Sequence, residues 1–196
     1  MKSSELIGVA IFSLFLGING NSLGYLDEDC PIILSRSQWR AQKANFVYYQ
    51  TIPVDKIVII GLEETCRASF ECRSVVKRLQ KDHISKFRLP DIAFNFLIDD
   101  NGFIYEGTGW LKSGSHTTGH NRNSLGIAFI GTTNSDTVPS EEAMHVFQEL
   151  IDCGIRGGKI SEDYKVFAHR QLCYQSNNPS YSFFEIIKKL PHWSSD

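Results

Sequence analysis

The sequence has no strong net charge, no apolar run long enough to span a bilayer, no Cys-x-x-Cys pair and no internal repeat. Each absence removes a class of protein. Lys+Arg number 20 against 22 Asp+Glu, a formal net charge of −2, and a near-neutral chain lacks the electrostatic footprint of a nucleic-acid or anionic-membrane binder. The longest apolar run, Leu6 to Ile18, covers only about 20 Å as a helix, short of a bilayer core. Without Cys-x-x-Cys there is no zinc ribbon and no thioredoxin-like motif. Asn178 is followed by Pro179, and Asn123 by Ser124-Leu125, so no Asn-x-Ser/Thr acceptor exists. Gly (15) and Pro (6) are ordinary in number, which excludes collagen-like and low-complexity chains. With 42% apolar and 21% charged residues, the chain is not intrinsically disordered. Its 196 residues suit one domain, and no linker divides them.

The run from Leu6 to Ile18 follows Lys2 and gives way to the small, polar Asn19-Gly20-Asn21-Ser22. That order predicts a secretory signal peptide over residues 1–22, cleaved between Ile18 and Gly24; an uncleaved anchor is the alternative. A secreted, extracellular mature protein without a membrane span is therefore expected. All five cysteines (30, 66, 72, 153 and 173) lie beyond that segment. An oxidising compartment would allow two disulfides and one leftover thiol, and Cys66 and Cys72 are near enough in sequence to staple a local loop.

The pattern of the rest predicts an α/β protein: one domain, a central, mostly buried mixed β-sheet flanked by helices. Ile57-Val58-Ile59-Ile60 is a β-branched run suited to a strand buried on both faces. Glu71 to Lys86 carries Val75, Val76, Leu79 and His83 on one helical stripe, with a basic outer face. Runs over 93–98 and 103–106 flank Asp99-Asp100-Asn101-Gly102, a hairpin signal. Leu125 to Ile130 reads as a second buried strand. Ser140 caps a helix whose apolar face is Ala143, Phe147, Leu150, Ile151 and Ile155 and which Gly157-Gly158 stops. Tyr164–Phe167 reads as a short strand and Ser182–Leu190 as a last helix.

Ile33-Leu34-Ser35-Arg36-Ser37-Gln38-Trp39, the Ile57–Ile60 run, Cys66…Cys72, Phe94-Asn95-Phe96-Leu97-Ile98, Tyr105 to Trp110, His116-Thr117-Thr118-Gly119-His120-Asn121, Gly126 to Gly131, Cys153-Gly154, His169-Arg170 and Leu190 to Trp193 follow one another in order. Together they resemble the peptidoglycan recognition protein family, whose amidase-like fold is shared with phage-type zinc N-acetylmuramoyl-L-alanine amidases. The resemblance implies a peptidoglycan recognition domain over residues 30–194. It also implies the disulfides Cys30–Cys153 and Cys66–Cys72, leaving Cys173 odd. A buried small hydrophobe, or a bond between chains, is the expectation for that thiol.

In the enzymatic members of that family three ligands hold zinc and a tyrosine assists. The first ligand, a His after the buried strand, corresponds here to Gly61. The second matches His169. The third, a Cys before Pro, corresponds to Asn177 or Asn178, and the tyrosine to Phe94. Glycine has no donor atom, an asparagine amide is a poor zinc ligand beside thiolate, and phenylalanine cannot donate a proton. The resemblance therefore implies neither amidase activity nor a zinc cofactor. A different metal site built from His116, His120, His169 and Cys173, giving a zinc amidase with atypical ligands, is an alternative.

The binding cleft of the family remains. Phe94 and Trp110 would supply flat apolar surface, and His116, Thr117, Asn121 and His169 hydrogen bonds; for Phe94, Trp110, His116 and His169 a purely structural role stays open. Glu63 stands where Thr is common and His120 where Tyr is frequent. Family members that read diaminopimelate-type stems tend to carry Arg between Gly107 and Gly109-Trp110, where this chain has Thr108. The implied function is a secreted, non-catalytic innate immune receptor for bacterial muramyl peptides that engages signalling proteins. A regulatory or decoy protein that binds other recognition proteins instead of peptidoglycan is the alternative from another class.

Overall fold

The computed structural model describes residues 30–132 and 137–195. The signal-peptide segment, 1–22, lies outside them. Six strands form one sheet: β1 (Ile33–Leu34), β2 (Val54–Leu62), β3 (Phe96–Ile98), β4 (Ile104–Glu106), β5 (Ser124–Ile130) and β6 (Ile160–Ala168), in the order β1-β4-β3-β5-β2-β6. The β3–β4 hairpin is antiparallel and the other four pairings are parallel. The helices are α1 (Ser69–Ser85), α2 (Glu141–Arg156), the single-turn α3 (His169–Leu172) and α4 (Tyr181–Ile187).

Strand side chains alternate between faces, and here both faces are buried. Ile57 and Ile59 of β2, Phe96 and Ile98 of β3, and Ile127 and Phe129 of β5 pack with Phe147, Leu150 and Ile151 of α2 and Phe183 and Ile187 of α4. Val58, Ile60 and Leu62, Leu97, and Ala128 and Ile130 pack with Val75, Val76 and Leu79 of α1 and with Phe94. This is the mixed sheet between helices that the pattern predicts, and residues buried on both sides explain why its strands read as continuous apolar runs.

Local signals mostly carry through. Ser140 Oγ accepts from Ala143 N at 3.0 Å and so caps α2. Gly158, at φ +63°, lets the chain leave that helix. The strand expected from residue 93 begins only at Phe96. The Asn95 side chain accounts for the delay: Oδ1 accepts from Gly126 N at 2.9 Å, taking a strand partner's place, while Nδ2 donates to Gly109 O and Lys112 O, both at 2.9 Å. The fully buried Asn95 thus ties the 107–112 loop to the sheet. β6 is longer than Tyr164–Phe167, and α4 ends three residues before Leu190.

Both disulfides implied by the resemblance are present, Cys30–Cys153 and Cys66–Cys72, and Cys173 is free and half-buried. No helix among the described residues is long and apolar enough to cross a membrane.

Candidate functional site

A groove of about 500 Å³ opens on the α1 side of the sheet. Four parts of the chain build it: the end of β2 (Ile60, Gly61, Leu62), the C-terminal end of α1 with the turn after it (His83, Phe87, Leu89), the segment before β3 (Ala93, Phe94), and polar groups from two loops (Ser115 and His116; His169, Ser176 and Asn178). No Lys, Arg, Asp or Glu lines it.

His116 sits against the β5 backbone. A Cβ at Gly126 would lie 2.3 Å from its ring, so only glycine there lets the imidazole approach. Its Nδ1 lies 2.9 Å from Thr117 Oγ1, and its Nε2 is buried without a hydrogen bond. Burial, reinforced by the neighbouring His169 and His120, pushes its pKa down to about 3, so the ring is neutral at physiological pH. His169, at the start of α3, reaches His116 O through Nε2 (3.1 Å) and Ser176 Oγ through Nδ1 (2.9 Å). A carbonyl only accepts, so the proton of neutral His169 is on Nε2 and Nδ1 accepts from Ser176. Burial lowers the pKa of His169 as well. His83 accepts from Ala93 N through Nδ1 (3.0 Å) and packs edge-on against Phe94, with ring centroids 5.4 Å apart; burial lowers its pKa too.

Asn178 bridges back to the strand. Its Oδ1 accepts from Gly61 N at 2.8 Å, and its Nδ2 donates to Gly61 O at 2.6 Å. Asn177 is exposed, and its carbonyl accepts from Arg170, so Asn178 is the residue facing the strand end. Replacing Asn178 with alanine removes both bonds. We expect a loss of about 1–3 kcal/mol in unfolding free energy, read by urea denaturation; an unchanged midpoint would mean the clamp holds nothing.

The residues were tested against the zinc centre implied by the amidase-like fold, and they do not fit it. Gly61 brings no donor, and a Cβ there would stand 2.9 Å from Thr132 Oγ1 and 3.2 Å from Pro179 Cβ. The Asn178 carboxamide is engaged at both ends, and both His169 nitrogens are in use. Nor do His116, His120, His169 and Cys173 converge. Among the described residues, the one group of three donors within 4.8 Å is Cys66, Cys72 and Asp99, whose two sulfurs are joined to each other.

Of the sequence-derived candidates, the groove gathers Phe94, His116 and His169. Thr117 and Asn121 lie behind it: buried Thr117 donates its N–H to Asn121 Oδ1 at 2.8 Å, which shapes the His116 loop. Trp110 is not brought to the groove. Its ring stacks on Phe96 with centroids 4.5 Å apart, among residues of the α2 face. Thr108 turns inward as well, donating to Lys112 O at 3.1 Å. His83, Phe87, Ser115 and Ser176 are groove residues that the sequence pattern did not single out.

The fold and this groove define an amidase-type scaffold, and the chain matches the N-acetylmuramoyl-L-alanine amidase family over residues 50–180. Within that class it belongs to the peptidoglycan recognition proteins. It is 33% identical over 191 residues to peptidoglycan-recognition protein SA of Drosophila melanogaster, covering 97% of this chain and 93% of that protein. It is 35% identical over 194 residues to a peptidoglycan recognition protein of Bombyx mori, covering 98% and 93%. The solved structure of Drosophila PGRP-SA superposes with a TM-score of 0.82 at 34% identity, covering 85% of this chain and 96% of that one. PGRP-LE in complex with tracheal cytotoxin, a monomeric diaminopimelic acid-type peptidoglycan, gives 0.80 at 34%, covering 83% and 96%.

Proposed function

We propose that this chain is a secreted, non-catalytic receptor that binds muramyl peptides of bacterial peptidoglycan in the α1-side groove and serves innate immunity. The observation that carries the reading is the Asn178–Gly61 clamp, two hydrogen bonds standing where an amidase of this scaffold would need two metal ligands. Phe94, at the position of the assisting tyrosine, has no proton to give. What remains is an apolar, half-enclosed cleft with a few convergent polar groups, the usual build of a ligand site. The two disulfides favour an oxidising compartment, and relatives from fly and silkworm carry recognition in their names.

The test is retention of the mature protein on insoluble peptidoglycan, with assay of released stem peptide in the presence and absence of zinc. Retention without release is the expected result. No retention would favour the regulatory protein that binds other recognition proteins, and free stem peptide would overturn the non-catalytic reading.

The groove also sets a preference. It holds no cation, and its histidines are neutral at physiological pH, so a stem carboxylate entering it loses water and gains no partner. A muramyl peptide with an amidated stem is expected to bind at least about tenfold more tightly than its free-acid form, a difference of about 1.4 kcal/mol. Calorimetric titration with the pair reads this directly; equal affinities would sink it.

A further inference from the structure

The outer side of α1 carries two more depressions, end to end. The first, of about 320 Å³, is lined by Arg40, Arg73 and Lys77 together with Gln38, Ser74 and Phe70. The second, of about 360 Å³, is lined by Lys77, Arg78 and Lys81 together with Gln42, Ser74 and Gln80. They share Ser74 and Lys77, and no Asp or Glu lines either. Five cations thus face one trough in a chain whose net charge is −2. Composition averages this concentration away.

The acids nearest in sequence are committed elsewhere. Glu71 Oε2 accepts from Arg67 N at 2.9 Å, Asp82 pairs with Lys86 at 2.9 Å, and Asp91 pairs with Arg36 at 3.0 Å. None of the five cations is in an ion pair among the described residues. Arg73 Nε is buried and makes no hydrogen bond, so a donor in the trough goes unused.

Shape narrows the occupant. Arg73, Lys77 and Lys81 follow at intervals of four along α1, so their rows rise over about 12 Å. That suits an extended chain with repeated negative charges better than one small anion. A folded protein partner would need a packed, aromatic centre, and Phe70, at one end, is the one exposed large apolar side chain here. Gln42 and Gln80 bond to each other's backbone and side chain and serve as wall. We propose that this trough is a binding site for a water-soluble, phosphodiester-linked polyanion, separate from the apolar groove and independent of what that groove holds.

The probe is a short synthetic poly(glycerol phosphate) chain titrated against the mature protein at several salt concentrations. Binding is expected, with log K falling against log[salt] at a slope of about −2 to −3.5, as three to five phosphate contacts on a single strand would give. Lys77→Glu/Lys81→Glu is expected to weaken it at least about tenfold while the thermal midpoint holds, because both side chains are exposed. Lys77→Gln/Lys81→Gln, which removes charge without reversing it, should fall between. No binding, no salt dependence, or equal affinity in both variants would overturn the proposal. So would tighter binding of polyglutamate, which would point to an acidic protein, or binding only to phosphatidylglycerol vesicles.

Discussion

Replacing Cys30 and Cys153 together by alanine is expected to lower the unfolding free energy by about 5 kcal/mol, against about 2 kcal/mol for Cys66 and Cys72. The difference follows from loop length. Cys30–Cys153 closes a loop of 123 residues and Cys66–Cys72 one of 6, and the chain entropy removed from the unfolded ensemble grows with the logarithm of that length. The longer closure also fastens the segment before β1 to α2, across the face opposite the groove. Single domains hold only about 5–15 kcal/mol in total, so the first pair decides whether the fold survives at body temperature. Urea denaturation of the two double variants gives both numbers. Equal losses would show that native strain or residual structure, rather than loop closure, governs these bonds.

Acid should unfold this protein earlier than its near-neutral composition suggests. Burial pushes the pKa of His116 to about 3 in the folded chain, against 6.5 when exposed. Below pH 6.5 the unfolded chain therefore takes up a proton that the native one refuses. The stability His116 contributes is complete above about pH 6.5 and drains as pH falls toward 3, by up to about 1.4 kcal/mol per pH unit. His169 and His83, both lowered by burial, act with the same sign in a window just below 6.5. The urea midpoint should therefore drop steadily between about pH 7 and pH 5. His116→Gln, neutral throughout, should flatten the slope; a midpoint flat in the parent protein would refute the account.

Much of the scaffold can be read directly from residues. Ile57 to Ile60 declares a doubly buried strand, Asn101-Gly102 a hairpin, and Ser140 with Gly157-Gly158 the two ends of α2, because each signal is local. The groove is less legible, because four distant segments meet there. His83 falls on the apolar stripe of α1 and looks like core until Phe94 is seen against it. Phe87 follows the last turn of α1, where no period reaches it. Asn178 could not be told from Asn177 by sequence, since one residue is inserted before Pro179; only the hydrogen bonds to Gly61 separate them. Trp110 misleads for a similar reason. Its neighbours in sequence turn toward the groove, while its ring follows Phe96 to the other side of the sheet.

The carboxamide bridge between Asn178 and Gly61 has a further consequence. A cleft braced by an ion keeps its shape only where that ion is supplied, and a chelator dismantles it. One braced by its own side chain is complete once folded, so it stays ready in fluids from which host or microbe has withdrawn zinc.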